Sequence, residues 1–457
     1  MFFSTCVRAE NITIFFTGNE LGALKPCGCS GGQFGGLDRR SAILNTVSPK
    51  NRLVLDTGSL VVESTEQNLI KFNVVVQAFS HLGYNLVNLT EQDVLIARQA
   101  GLLDVLATAK QGGAGLGSAF YVITAEGPED ACLPPKFTKR FTLDGNSVDV
   151  TVAAINTEEQ IPRLTDLFAA SADGSSSTVN VLISNRSNAK TLEAVLEPNL
   201  VDLLIVPPQS DEPTLVGDAN NRPLVVSAGR IGKYVGKIEV TLPGPVLRFS
   251  AFPVTEDLPL NQELVDLYKD YQRLLKEANL LEKYPRFILP DNLEYVGSKS
   301  CKLCHDYEYE KWLTSSQVFI PGLPKQASPE SRHADAYATL VEVGSDYDPE
   351  CVICHVVGMQ FQTGFVSPEK TPDLKDVGCE NCHGPGSDHL RSLGAVVTSG
   401  PISTCTDCHN AEQSTEYAGR EELYFEKIIH WRQPVSIVRV QEPNRPPRLD
   451  LVETGTP

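Results

Sequence analysis

The chain spells Cys-x-x-Cys-His four times: Cys301-Lys-Leu-Cys304-His305, Cys351-Val-Ile-Cys354-His355, Cys379-Glu-Asn-Cys382-His383 and Cys405-Thr-Asp-Cys408-His409. Two thiols at this spacing lie on one helical turn and can meet the two vinyl groups of a haem, while the next residue offers its imidazole to the iron. Zinc knuckles and disulfides also use paired cysteines, but neither needs a histidine directly after every pair. The spacing therefore predicts four covalently attached c-type haems, with His305, His355, His383 and His409 as proximal iron ligands. Haem is joined to cysteine outside the cytoplasmic membrane, so the motifs also carry an expectation of export.

Eight histidines occur in all, which leaves His81, His333, His389 and His430 for the far faces of the irons. His81, in "AFSHLGY", reads as a surface or packing residue on a helix in the first half of the chain. Three distal candidates then serve four haems. Met359, the only methionine besides Met1, has suitable chemistry but is read as core packing. One haem is expected to be five-coordinate or closed by some other ligand. His389 follows His383 across Gly384-Pro385-Gly386, a turn that cannot continue a helix. Redirected in this way, His389 is badly placed for the haem attached beside it and well placed for the iron of a neighbour.

The elements that must position these groups differ along the chain. At 457 residues and 41% hydrophobic content there is material for more than one core. From 10 to 255, "ITIFFT", "LVLDTG", "NLVNLT", "VDVTVAAI", "VNVLIS" and "DLLIVP" read as buried strands, and "DRRSAILNTV" and "IKFNVVVQAFSHLGY" as amphipathic helices. That alternation predicts a layered α/β domain. Residues 257–284 read as one long amphipathic helix ended by Pro285, within a connecting segment 256–295. The segment 296–432, with short helices and loops rich in Gly, Pro, Cys and His, is expected to be a mainly α, haem-packed domain, and 433–457 a Pro-rich tail. Residues 1–9 resemble the end of a signal peptide. The net charge of −18 disfavours nucleic acid as a partner, and no apolar run approaches the ~18 residues of a membrane span. Cys27 and Cys29 are expected in a structural disulfide, with Cys132 as a candidate partner. "QGGAGLGSAF" at 111–120 reads as a flexible turn, since it lacks the spacing of a nucleotide loop.

Beyond its haem motifs, the segment "VGSKSCKLCHDYEYEKW … SRHADAYATL … PECVICHVVGMQFQTGF … VGCENCHGPGSDH … CTDCH … YFEKIIH" resembles the tetrahaem cytochrome family that carries electrons away from hydroxylamine oxidation. The resemblance implies a helical fold around closely packed haems. It also implies His333, His389 and His430 as distal ligands, and the haem on Cys351, Cys354 and His355 as the open one. One departure is the stretch "LTSSQVFIPGLPKQASPESR" between Trp312 and His333, read as an inserted loop.

The pieces "FFTGNELGALKPCGCSGGQFGGLDRRSAIL", "LVLDTGSL", "LGYNLVNLTEQD" and "LVVSAGRIGKYVGKIEVTL" resemble the calcineurin-type metallophosphoesterase domain of the 5'-nucleotidase family. This implies a β-sandwich flanked by helices. The family's ligands are replaced: Asp-x-His by Asn19-Glu20-Leu21, the aspartate of Gly-Asp by Ser59, and Gly-Asn-His-Glu by Thr90-Glu91-Gln92-Asp93, and the later turns lack histidine. Hydrolysis in that family needs metals to activate water and clamp phosphate, so a non-catalytic domain is expected.

Together these features predict an exported tetrahaem cytochrome passing electrons between redox protein partners. A redox enzyme acting on a small nitrogen or oxygen species at an open haem, and a subunit of a larger cytochrome complex or filament, are the alternatives.

Overall fold

The computed structural model describes residues 11–26, 31–108, 120–125, 133–143, 146–169, 177–186, 200–242, 245–314, 333–399, 405–410, 412–415 and 417–430. The N-terminal segment 1–9, Cys27, Cys29 and Cys132, nearly all of 111–120, residues 315–332 of the inserted loop, and the tail 433–457 lie outside the described residues. Apart from residues 27–31, the chain divides into one compact unit running to Tyr271 and a second from Gln272 onward.

In the first unit the β-branched and aromatic runs form twelve strands among the described residues: β1 (Asn11–Thr17), β2 (Arg52–Asp56), β3 (Leu86–Asn88), β4 (Tyr121–Ile123), β5 (Lys136–Leu143), β6 (Asn146–Ile155), β7 (Ser177–Ser184), β8 (Leu203–Val206), β9 (Thr214–Leu215), β10 (Leu224–Ser227), β11 (Tyr234–Thr241) and β12 (Val246–Pro253). They build two six-stranded sheets, ordered β12-β11-β1-β2-β3-β4 and β5-β6-β7-β8-β10-β9. Both sheets are mixed. β1 pairs in parallel with β2 and antiparallel with β11, and the parallel centre β6-β7-β8-β10 of the second sheet is edged by antiparallel β5 and β9.

Period-two alternation decides which side chains meet between the sheets. Ile12, Ile14 and Phe16 of β1 join Leu53 and Leu55 of β2 in one apolar cluster with Val148, Val150 and Val152 of β6 and Val179, Val181 and Ile183 of β7. The intervening Phe15, Val54 and Val87 are also buried, so the first sheet is covered on both faces. This is why its strands read as continuous apolar runs. Three helices supply caps and turns: α1 (Leu37–Leu44), α2 (Glu66–Leu82) and α3 (Glu91–Gln99). α2 starts on the Thr65 side chain, which accepts from the Asn68 N–H, and stops at Gly83 in the left-handed region.

The long helix expected over 257–284 is shorter and broken. α4 runs Gln262–Glu277, after Pro259 and with Asn261 Oδ1 accepting from the Glu263 N–H. Asn279 then takes a left-handed conformation (φ 55, ψ 45), and Leu280–Lys283 forms a separate turn of helix. Asparagine tolerates that conformation better than any other non-glycine residue here, and the break buries Leu280 and Leu281. Helical periodicity in sequence does not register one such residue.

In the second unit the described elements are short helices, with Phe287↔Phe361 and Val356↔Lys375 as isolated bridges. An apolar cluster gathers Leu281, Tyr337, Leu340, Val352, Val356, Val357, Met359, Phe365 and Leu374. Met359 lies inside it at 1% exposure, as core packing requires.

Candidate haem-binding site

Each Cys-x-x-Cys-His stretch folds as about one turn of helix. The His305 N–H donates to Cys301 O at 3.0 Å, and the His409 N–H to Cys405 O at 2.7 Å. Cys379–His383 is helical throughout and is stopped by Gly384 at φ 77. The turn Gly384-Pro385-Gly386 leads into a second short helix, Ser387–Arg391, which carries His389.

This third motif is tied to the first and the second. The Cys379 N–H donates to the Ser298 hydroxyl (3.1 Å), just before the first motif, and the Cys408 thiol of the fourth lies 3.9 Å from Cys354 O of the second. The Asn381 side chain donates to Val356 O (2.9 Å), just after the second motif. Glu380 accepts from the backbone N–H groups of Val296, Gly297 and Gly386. The Trp312 indole donates to Val377 O (3.0 Å), and the Val377 N–H to His333 O (2.9 Å).

Six histidines come together in three pairs. Ring centroids are 5.9 Å apart for His305 and His389, 6.1 Å for His333 and His409, and 6.0 Å for His383 and His430. Metal–imidazole bonds of about 2 Å place two ring centroids roughly 6 Å apart across one shared metal ion. The pairs, each beside a cysteine couple, therefore fit the haem iron that the motifs call for. The interplanar angles differ: 26° for His305/His389, 48° for His333/His409 and 89° for His383/His430.

Four of the rings are held from behind through Nδ1, which leaves Nε2 for a metal. Nδ1 donates to a backbone carbonyl in His389 (Val396 O, 2.7 Å), His430 (Ile428 O, 2.8 Å) and His355 (Ala336 O, 2.6 Å). His409 Nδ1 lies 3.1 Å from the Ser414 hydroxyl, and its ring stacks on Tyr417 at 5.0 Å with Tyr424 edge-on. Burial, with His409 and His355 nearby, pushes His333 down to about 4. Burial likewise lowers His355, His383 and His409. Neutral imidazole, the metal-binding form, is thereby favoured.

The two remaining histidines behave differently. His355 makes no ring contact with another histidine among the described residues. His81, near the end of α2, is exposed and meets Glu263 at 3.0 Å.

In the first unit, the positions that match phosphoesterase ligands hold other chemistry. Asn19, Leu21 and Ser59 all sit at positive φ (55, 51 and 60), and the Asn19 and Leu21 N–H groups donate to Gly58 O and Ser59 O. Asp93 is buried and occupied by the N–H groups of Ser59, Leu60 and Thr90 and by the Thr90 hydroxyl, while Gln92 is exposed. A small pocket here is lined by uncharged residues, polar ones such as Asn19, Ser59, Thr90 and Asn185 beside apolar Ile183 and Ile205. Among the described residues no group of three or more His, Cys, Asp and Glu is placed to hold a metal ion.

Beside these positions lies a fully buried charged network. Arg40 donates to both carboxylate oxygens of Glu20 (2.6 and 2.9 Å) and to the Tyr84 hydroxyl (2.9 Å). The Tyr84 hydroxyl lies 2.7 Å from that of Thr17, which donates to Asp56 (2.6 Å). Burial opposes the Arg40 charge, but Glu20 and Tyr84 more than offset this and raise its pKa. Burial, reinforced by the Glu20 charge, pushes Asp56 up to about 8. The folded state thus holds a proton that the unfolded chain loses near pH 4, so Asp56 erodes stability as pH rises from about 4 to about 8. Asn mimics the protonated carboxyl: its carbonyl accepts from the Gly58 N–H, and its amide donates to the Thr17 hydroxyl, which turns its own proton to Tyr84. We expect the Asp56→Asn protein to unfold at a higher temperature than the parent at pH 8.5, with the gap closing by pH 5. Far-UV circular dichroism melts across that range measure it, and a constant gap would show that Asp56 is ionised in the fold.

Comparison with known proteins divides along the same line. Residues 300–384 match the family described as cytochrome c554 and c-prime. Cytochrome c-554 of Nitrosomonas europaea is 31% identical over 137 residues, covering 28% of this chain and 55% of that protein. The chain thus spans about half the length of that curated relative. This likeness implies c-type haem and electron transfer for the segment. Similar solved structures include the calcineurin-like phosphoesterase YfkN from Bacillus subtilis (14% identity, TM-score 0.43, 59% of this chain and 99% of that one). Another is the 5'-nucleotidase precursor from Thermus thermophilus (17% identity, TM-score 0.44, 67% and 68%).

In sequence, Glu380 and Asn381 read only as the spacers between two cysteines, and neither Arg40 nor Tyr417 stands out. A carboxylate inside the motif, four residues before a Gly-Pro-Gly turn that brings the Gly386 N–H back toward it, is the available signal for Glu380. Nothing in the spacing points to a pairing of Arg40 with Glu20, twenty residues apart.

Proposed function

We propose that this protein is an exported tetrahaem c-type cytochrome passing electrons between redox partners. The observation that carries this reading is the set of three histidine pairs with centroids 5.9–6.1 Å apart, each joining a motif histidine to one from elsewhere in the chain. In this reading Cys301, Cys304, Cys351, Cys354, Cys379, Cys382, Cys405 and Cys408 form the thioethers. His305 pairs with His389, His383 with His430 and His409 with His333, and His355 alone serves the second haem.

Haem iron supplies reversible one-electron chemistry at each site. The paired imidazoles favour a low-spin metal, and the Nδ1 hydrogen bonds hold the rings still when charge changes. The Cys379 N–H on the Ser298 hydroxyl and the Asn381 amide on Val356 O keep the third motif close to the first and second. The first unit acts as a scaffold or docking module without hydrolytic chemistry. Phosphatase turnover dependent on Mn or Zn would sink that part of the reading.

A reductive titration with spin-state detection tests the whole. Four haems, three low-spin and one high-spin, are expected, and fewer than three low-spin centres would refute the ligand assignment. The unpaired His355 favours a second reading, in which the open haem acts on a small nitrogen or oxygen species. Turnover of added nitric oxide or hydroxylamine supports that reading, and binding without turnover supports the carrier.

A further inference from the structure

Glu380, inside the third motif, is 4% exposed. Its oxygens only accept: Val296 N lies 3.0 and 3.1 Å from them, Gly297 N 2.7 Å from Oε2, and Gly386 N 2.7 Å from Oε1. Among the described residues no lysine or arginine forms an ion pair with it. Burial raises the Glu380 pKa and the three N–H donors oppose this; a carboxyl group whose two oxygens meet only N–H donors has no acceptor for a proton, so the geometry favours the ionised form.

The position of this charge ties it to two of the four centres. Glu380 adjoins Cys379 of the third motif. Gly297, one of its donors, has its carbonyl 4.0 Å from the Cys301 thiol of the first motif, and the Cys379 N–H donates to the hydroxyl of Ser298, the next residue (3.1 Å). Asp407, the acid inside the fourth motif, occupies the position of Asn381 and is solvent-exposed. A charge in a low-dielectric interior acts far more strongly on its neighbours than one in water.

We propose that Glu380 tunes the first and third haems, its buried carboxylate lowering their reduction potentials relative to a neutral side chain and leaving the second and fourth little affected. The physical reason is that reduction removes positive charge from the iron, and a nearby anion disfavours that removal. Glu380 is also a positioning residue, since the same oxygens fasten the segment before the first motif to the turn after the third. This assignment rests on the four-haem reading above.

The test uses the full-length holoprotein. The first and third haems are told apart in the oxidised spectrum by their ligand planes. Near-parallel rings split the iron d orbitals and give a rhombic electron spin resonance signal, whereas near-perpendicular rings give one of large maximal g. In the Glu380→Gln protein, midpoints of these two signals should rise while the other two haems titrate as in the parent. Four unchanged midpoints, or an equal rise in all four, overturn the assignment. Should Glu380→Gln lose its haems, Glu380→Asp is titrated instead, because it keeps the charge but shortens its reach. Movement confined to the same two midpoints supports the assignment, and four unchanged midpoints overturn it. A parent with fewer than four haems overturns the carrier reading and this inference together. A four-haem parent with an unresponsive Glu380→Gln overturns this inference alone.

Discussion

Replacing His389 with leucine should convert the first haem, on Cys301 and Cys304, to high spin and leave the third, attached six residues before it, unchanged. His389 faces His305 at 5.9 Å with its Nδ1 anchored on Val396 O, whereas His383 faces His430. The oxidised protein should gain one high-spin haem, from one to two. It should lose the rhombic signal of the near-parallel pair and keep the large-g signal of the 89° pair. Loss of the large-g signal instead would mean that His389 closes the haem beside it. Leucine fills the ring's space without offering a donor, so coordination is removed and packing largely kept.

The largest stability effect is expected at Arg40. Its guanidinium and the Glu20 carboxylate are both fully buried and bound in fork geometry. Removing one partner leaves the other as an uncompensated buried charge, at a cost of about 3–5 kcal/mol. Arg40→Met should show this loss in urea denaturation followed by far-UV circular dichroism. The double variant Arg40→Met/Glu20→Leu should recover most of it, because no orphan charge then remains. Equal losses in the single and double variants would argue that Arg40 acts through Tyr84 and packing rather than through Glu20. The pair also explains how the first unit maintains its interior beside Asn19, Leu21 and Ser59: internal ion pairing supplies the local charge balance.

Much of the first unit is legible in sequence because buried strands advertise themselves. "ITIFFT" and "VDVTVAAI" are apolar at nearly every position, since both faces of their sheets are covered, and both appear as strands in the structure. The half-exposed edge strands β5 and β12 carry charges such as Lys136, Arg140 and Arg248 on their outward positions, which blurs their pattern. The long helix failed at Asn279, where one left-handed residue ended a run whose periodicity continued unbroken.

For the haem site, sequence alone determined local facts: four Cys-x-x-Cys-His spacings, each fitting one turn of helix, and three further histidines outside them as candidates. The Gly-Pro-Gly turn further determined that the helix ends between His383 and His389, because proline and a glycine at positive φ do not continue it. Tertiary structure decided which histidine meets which, at what ring angle, and which motif histidine has no histidine facing it, since those pairings join residues 84, 76 and 47 positions apart. It also decided that Glu380 is a buried carboxyl group between two motifs. Burial and the convergence of Val296, Gly297 and Gly386 on one carboxylate are properties of the packed chain, and no spacing in the sequence encodes them.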